Sequence, residues 1–148
     1  LRGRKALLYE GGIRVPFIVN QPGKVNPQTL DNLIYFPDVL PTLAAVANAK
    51  APVKINGINL LPLLKGEKVD TDNRLLYWEF PGKQYAARKG DWKVVSVKAG
   101  TPLELYNLKD DISETNNLAD VYPEKVAEFE REMKDMRTPS PNWPLPGE

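Results

Sequence analysis

The stretch RLLYWEFPGKQYAARKGDWKVVSVKAGTPLELYNL, residues 74–108, decides the fold. It holds four short runs rich in β-branched and aromatic residues, and the turn-forming residues at 89–91 separate two of them as a hairpin would. In the last run Leu103 and Leu105 face one side of a strand, whereas Glu104 faces the other. The stretch therefore predicts an antiparallel sheet of about four strands.

Helical patterns flank this predicted sheet on both sides. Pro123 suits the first turn of a helix, and Val126, Phe129 and Met133 then recur at helical spacing. Residues 36–47 show the same spacing before the sheet. The predicted fold class is thus α+β, a small antiparallel sheet packed by a C-terminal helix.

The residues before the sheet predict the end of a larger domain. A short apolar run at residues 15–19 predicts a buried strand, and the helix at 36–47 follows it. Apolar faces on both sides of these elements indicate the last strand and helix of a truncated α/β domain. The predicted division is the end of that domain at 1–49, a connector at 50–73, a sheet subdomain at 74–137 and a Pro-rich tail at 138–148.

Composition removes several classes of protein. Twenty basic and nineteen acidic residues are spread along the chain, without the basic run typical of a nucleic-acid binder. Cysteine and histidine are both absent, so thiolate and imidazole chemistry is excluded for this chain. No apolar run approaches the roughly 20 residues that cross a bilayer. Residues 70–73 begin like a calcium loop but lack its later Gly and Glu, which favours a polar turn and no metal site.

Six segments in order resemble the sulfatase family of the alkaline-phosphatase-like superfamily. The first, residues 5–16, is similar to the family's Lys-x-x-x-Tyr-Glu-Gly-Gly-x-Arg-x-Pro element. The match covers nearly the whole chain and identifies it as the C-terminal portion of an arylsulfatase-like enzyme. The other matching segments are Pro22-Gly23, Asp38 to Leu43, Asn56-Gly57 to Gly66, Gly90 to Lys93, and Glu104 to Leu108 with Glu114 to Ala119.

The resemblance implies a full-length enzyme that hydrolyses sulfate esters with formylglycine and a divalent cation, usually calcium. Formylglycine is made from Cys or Ser in a Cys/Ser-x-Pro-x-Arg motif, and none of Ser96, Ser113 and Ser140 lies in one. We therefore expect no cofactor in this chain and no activity from it alone. The parent is expected to be a bacterial, exported enzyme whose signal lies upstream.

One catalytic residue is implied, because Lys5 matches the family lysine that contacts the sulfate. From residue type alone, Lys5 would be a solvated residue of a basic run. Trp78, Glu79 and Arg88 are candidate substrate-binding residues, because the family's C-terminal subdomain borders the cleft. The aromatic residues of a sheet this small are more often core than a sugar platform.

Two other functions stay open. The chain is alternatively a stand-alone binding or interaction module with a sulfatase C-terminal fold, or part of a phosphate or phosphonate ester hydrolase of the same superfamily. The partner expected of the parent is a sulfate ester, with neither nucleic acid nor membrane. Apolar surface at residues 15–19 and 36–47 predicts self-association of the isolated chain.

Overall fold

The computed structural model describes residues 1–80, 84–98, 100–142 and 144, so the Trp143 of the predicted tail lies outside the described residues. By contacts the chain forms two compact units, Leu1–Pro16 with Arg74–Glu148, and Phe17–Asn73. Within the described ranges, no helix has the length and apolarity to cross a membrane. The elements are α1 (Glu10–Ile13), a 3-10 turn (Phe36–Asp38), α2 (Val39–Val46), α3 (Leu61–Leu64), β1 (Leu76–Phe80), β2 (Gln84–Lys89), β3 (Trp92–Ser96), β4 (Glu104–Asn107) and α4 (Pro123–Met136).

The four strands form one antiparallel sheet in the order β1-β2-β3-β4, which confirms the predicted fold class. Only Gly90 and Asp91 join β2 to β3, and Gly90 takes the positive φ, 56°, that a tight hairpin turn requires. The register pairs Arg88 with Lys93, and Lys93 with Tyr106. Paired residues share a face, so these three side chains lie together on one side of the sheet.

The predicted C-terminal helix α4 covers the opposite face of the sheet. Phe129 and Met133 are 3% and 6% exposed, and they pack in one cluster with Leu103 and Leu105. Burying a side chain of this size stabilises the fold by about 1.5–3 kcal/mol relative to leaving it exposed. The alternation predicted for residues 103–105 is therefore confirmed, because Leu103 and Leu105 both face this helix.

The N-terminal segment, residues 1–16, belongs to the same compact unit as the sheet. Leu8 and Tyr9 are buried in a cluster with Ala86, Val95 and Tyr106, on the face turned away from α4. The predicted boundaries grouped these residues with the chain up to residue 49. In the structure they complete the second side of the sheet's core.

The unit Phe17–Asn73 contains the predicted amphipathic helix, formed as the 3-10 turn followed by α2. Asp38 is fully buried, and its carboxylate accepts hydrogen bonds from the N–H groups of Tyr35 and Ile58 rather than capping α2. Gly57 lies so close to Pro37 that a Cβ there would stand 1.9 Å from its carbonyl oxygen. These contacts give Asp38 and Gly57 structural roles in this unit.

The buried strand predicted at residues 15–19 is not formed. These residues have no regular secondary structure, and Val15, Phe17 and Ile18 are 73%, 52% and 87% exposed. A strand needs a neighbour for its N–H and C=O groups, and the sheet of the described residues consists of β1 to β4 only. The run is apolar, as a buried strand would be, but the described residues offer it no strand to pair with.

Candidate functional site

Lys5 lies in a tight turn of the N-terminal segment. The N–H of Leu7 donates to the carbonyl of Arg4 at 3.0 Å, so Lys5 occupies the second position of a β-turn. Ala6, at the third position, has a φ of 75° in the left-handed region. The Lys5 side chain is exposed, so its ammonium projects from a turn whose backbone is fixed.

The paired glycines after the turn allow the chain to fold back on itself. Gly11 and Gly12 lie in α1. A Cβ on Gly11 would lie 2.4 Å from the carbonyl oxygen of Arg2, and one on Gly12 would lie 1.9 Å from that of Leu7 and 2.7 Å from that of Arg4. Only residues without a side chain permit this approach. The Lys5 turn therefore rests directly on the backbone of α1.

A buried charge cluster lies beneath α1. The Lys93 ammonium lies 2.9 Å from the Glu10 carboxylate and 2.8 Å from the Glu114 carboxylate, and all three residues are at most 2% exposed. The N–H of Glu10 also donates to Glu114 at 2.7 Å. Arg88 and Arg14 approach the other oxygen of Glu10 at 3.6 and 3.4 Å.

Glu114 is held in an unfavourable setting. Burial raises the pKa of its carboxyl above the ordinary value, while the hydrogen bond and charge of Lys93 act in the opposite direction. Its φ of 55° places a non-glycine residue in the left-handed region, which costs on the order of 1–3 kcal/mol. Both features persist because Lys93 and the N–H of Glu10 fix the side chain from two sides.

A second polar cluster fastens the start of the N-terminal segment. Glu104 accepts the hydroxyl hydrogens of Tyr9 and Tyr106 at 2.5 and 2.8 Å. Arg2 donates to the Tyr106 hydroxyl and the Glu114 carbonyl, and its guanidinium lies 4.0 Å from the centre of the Tyr9 ring. Burial and the bond to Glu104 raise the pKa of both tyrosines, so both hydroxyls remain donors at neutral pH.

The three predicted substrate-binding residues do not come together. Trp78 packs against the cluster that includes Leu8 and Tyr9, and Arg88 lies on the same face and contacts Glu10. Glu79 lies on the opposite face, where it accepts hydrogen bonds from the Tyr77 hydroxyl and from Arg137, the latter at 2.5 Å. Alternation along β1 separates Trp78 from Glu79, so these residues do not form one continuous surface.

The acidic side chains of the described residues do not form the donor set of a metal site. In the part of the chain that the structure describes, no group of three or more acidic, His or Cys side chains lies together. The Asp70 carboxylate instead accepts hydrogen bonds from the Asn73 amide and from the N–H groups of Asp72 and Asn73, which lower the pKa of Asp70. That segment is a polar turn.

Sequence reasoning identified Gly90 to Lys93 and Glu114 as motif residues without giving Lys93 and Glu114 a role. A signal for Lys93 was available, because alternation along β3 puts it on the same face as the apolar Val95. A charged residue at an inward position predicts a buried partner. The partners, Glu10 and Glu114, are 83 and 21 residues away in sequence, so spacing alone did not reveal them.

Comparisons with known proteins agree with this architecture. Residues 4–139 match the profile described as N-sulphoglucosamine sulphohydrolase, C-terminal. A sulfatase of Formosa agariphila is 34% identical over 137 residues, with 80% of this chain and 25% of the relative covered. Human arylsulfatase A is 33% identical over 144 residues, with 80% of this chain and 28% of that protein covered.

A solved Bacteroides thetaiotaomicron structure, described under the metabolism of multiple glycosaminoglycans, superposes with a TM-score of 0.79 at 28% identity. The superposition covers 90% of this chain and 31% of the Bacteroides chain. The fold is that of the C-terminal domain of an α/β sulfatase. The chain belongs to the sulfatase family, and it spans about a quarter to a third of the length of the relatives named here.

Proposed function

We propose that the chain is the C-terminal part of a sulfuric ester hydrolase, in which Lys5 contacts the sulfate group of the substrate. The observation that supports this proposal most is the presentation of Lys5. Its turn rests on Gly12, and the next residues are anchored by Glu10 to the buried Lys93. A merely solvated lysine needs no such support.

The chemistry assigned to Lys5 follows from its charge. When the S–O bond of a sulfate ester breaks, negative charge grows on the leaving oxygen and the sulfuryl group. An ammonium with three N–H donors stabilises that charge more in the transition state than in the ground state. Lys5 is exposed, and its turn leaves the side chain open to a ligand.

The attacking group and the cation are proposed to come from residues outside this chain. Formylglycine would supply the nucleophile and calcium would polarise the sulfate, but Ser96, Ser113 and Ser140 lack the motif, and the described residues lack the donor set. The isolated chain is expected to be inactive, and export of the parent enzyme remains a proposal.

The substrate is proposed to be a sulfate ester, with Trp78, Glu79 and Arg88 as candidate contacts. Arg88 and Glu79 are each already paired with a charged residue, Arg88 with Glu10 and Glu79 with Arg137. These pairs favour structural roles for both. Trp78 is half-buried, so part of it is accessible to a substrate.

The proposal is tested in the complete polypeptide in which this chain lies, with an aryl sulfate and calcium. Removing one donor to a developing oxyanion typically lowers turnover by about 10²–10³-fold, and Lys5→Ala is expected to lower kcat/KM by this amount. Lys109→Ala is the matched control, because Lys109 is an exposed lysine of the same unit. It should change kcat/KM less than twofold.

Two results would contradict the proposal. One is a Lys5→Ala enzyme as active as the unmodified protein. The other is a complete polypeptide that hydrolyses an aryl phosphate or phosphonate but no sulfate. The isolated chain is assayed in parallel, and sulfate release from it that Lys5→Ala abolishes would contradict the expected inactivity.

A further inference from the structure

We infer that Lys93 is a positioning residue: it holds Glu10, and through Glu10 the turn that presents Lys5, in the geometry that sulfate contact requires. The inference rests on the proposed function of Lys5. It assigns a role to the buried ion cluster that neither the core nor the comparisons explain.

The first step concerns the cluster itself. Lys93 and Glu114 are fully buried and Glu10 is 2% exposed, so three charged groups have been removed from water. Replacing such a cluster with apolar residues of similar volume is often neutral or stabilising. Its contribution to stability is therefore a weak reason for its presence. What an ion pair at 2.8–2.9 Å does supply is a fixed position for both carboxylates.

The second step connects the cluster to the turn. Glu10 is held at both ends, its carboxylate by Lys93 and its N–H by Glu114. Two residues later, Gly12 approaches the turn so closely that an added Cβ would lie 1.9 Å from the carbonyl oxygen of Leu7 and 2.7 Å from that of Arg4, the residues on either side of Lys5 and Ala6. A displacement of Glu10 moves α1, and the backbone of α1 supports the Lys5 turn.

The third step concerns what holds the turn in shape. Ala6 has a φ of 75°, a conformation that non-glycine residues adopt only when the surroundings enforce it. If α1 shifts, the enforcing contact weakens and the turn is free to relax. A misplacement of about 1 Å in a catalytic group is enough to lower turnover roughly a hundredfold.

The experiment is a double-mutant cycle in the complete enzyme, assayed on an aryl sulfate well below the melting temperature. Lys93→Met removes the ammonium and keeps the length of the side chain. It is made alone and together with Lys5→Ala. Lys89→Met is the control, because Lys89 lies on the same hairpin but pairs with Glu132 and Glu128 on the other face of the sheet.

If Lys93 acts through Lys5, Lys93→Met lowers kcat about tenfold or more in the unmodified enzyme and less than twofold in the Lys5→Ala enzyme. Lys89→Met leaves kcat within twofold in both. Equal losses of kcat in both backgrounds, or an unchanged kcat in Lys93→Met, would overturn the inference while leaving the sulfatase function intact. An unmodified enzyme without sulfatase turnover would refute the proposed function instead.

A second variant covers the case in which Lys93→Met does not fold. Glu114→Gln keeps the shape of the side chain and one acceptor oxygen, but it removes the negative charge that pairs with the Lys93 ammonium. It is expected to lower kcat in the same direction, again only when Lys5 is present. Amide exchange of residues 2–14 should accelerate in parallel, and unchanged exchange together with unchanged kcat would overturn the inference.

Discussion

Gly12→Ala tests whether the backbone approach beneath the Lys5 turn is as close as the structure shows. The new Cβ would lie 1.9 Å from the carbonyl oxygen of Leu7, whereas ordinary contact begins near 3.4 Å, so backbone must retreat by about 1.5 Å. Forcing extra volume into a packed site costs up to about 3 kcal/mol. Alanine recovers about 1 kcal/mol of helix propensity in α1. The expected net loss of stability is roughly 2 kcal/mol.

Urea denaturation of the isolated chain measures this loss. With a slope on the order of 2 kcal/mol per molar, the midpoint should fall by about 1 M. Amide exchange should accelerate in residues 2–14, since these lose their support. Gly66→Ala is the control, because its Cβ meets nothing within 4 Å and only its φ of 87° opposes the substitution. A Gly12→Ala chain with an unchanged midpoint and unchanged exchange would refute the reasoning.

Two further predictions concern the acid limit and the surface of the chain. The pKa of Asp111 is lowered by hydrogen bonds from Asn116 and Thr115, so its contribution to stability is present above pH 3.8 and lost as pH falls through the lower folded value. Asp111→Asn should therefore have a lower free energy of unfolding than the unmodified chain at pH 7. Urea titrations should show this difference disappearing below pH 4. Phe36 and Leu43 are 86% and 60% exposed, so the isolated chain should self-associate in sedimentation equilibrium, and serine at both positions should weaken it. A monomer at high concentration would contradict this.

The sheet and α4 were predictable because their signals are local. Alternation in residues 103–108, the Gly90 hairpin and the spacing of Phe129 and Met133 each report on neighbours within a few residues. The same holds for the helix at residues 36–47. In all these cases the local pattern and the final packing agree.

The remaining features depend on partners distant in sequence. The apolar run at residues 15–19 has the pattern of a strand. The strand is not formed, because it would also need a neighbouring strand, distant in sequence, to pair with. The separation of Trp78 from Glu79 follows from alternation, but only once the bounds of β1 are known. The burial of Lys93 beside Glu10 depends on an association across 83 residues, which no local pattern reports.

The sequence distance between the two halves of the buried cluster has a consequence for biosynthesis. Glu10 leaves the ribosome 104 residues before Glu114, the residue that binds its N–H. At about 5–20 residues per second, this leaves the N-terminal segment without its docking site for several seconds. Closing so long a loop is entropically unfavourable until the hairpins have formed the sheet on which the N-terminal segment docks. We expect the sheet and α4 to assemble first, and the segment carrying Lys5 to be seated last.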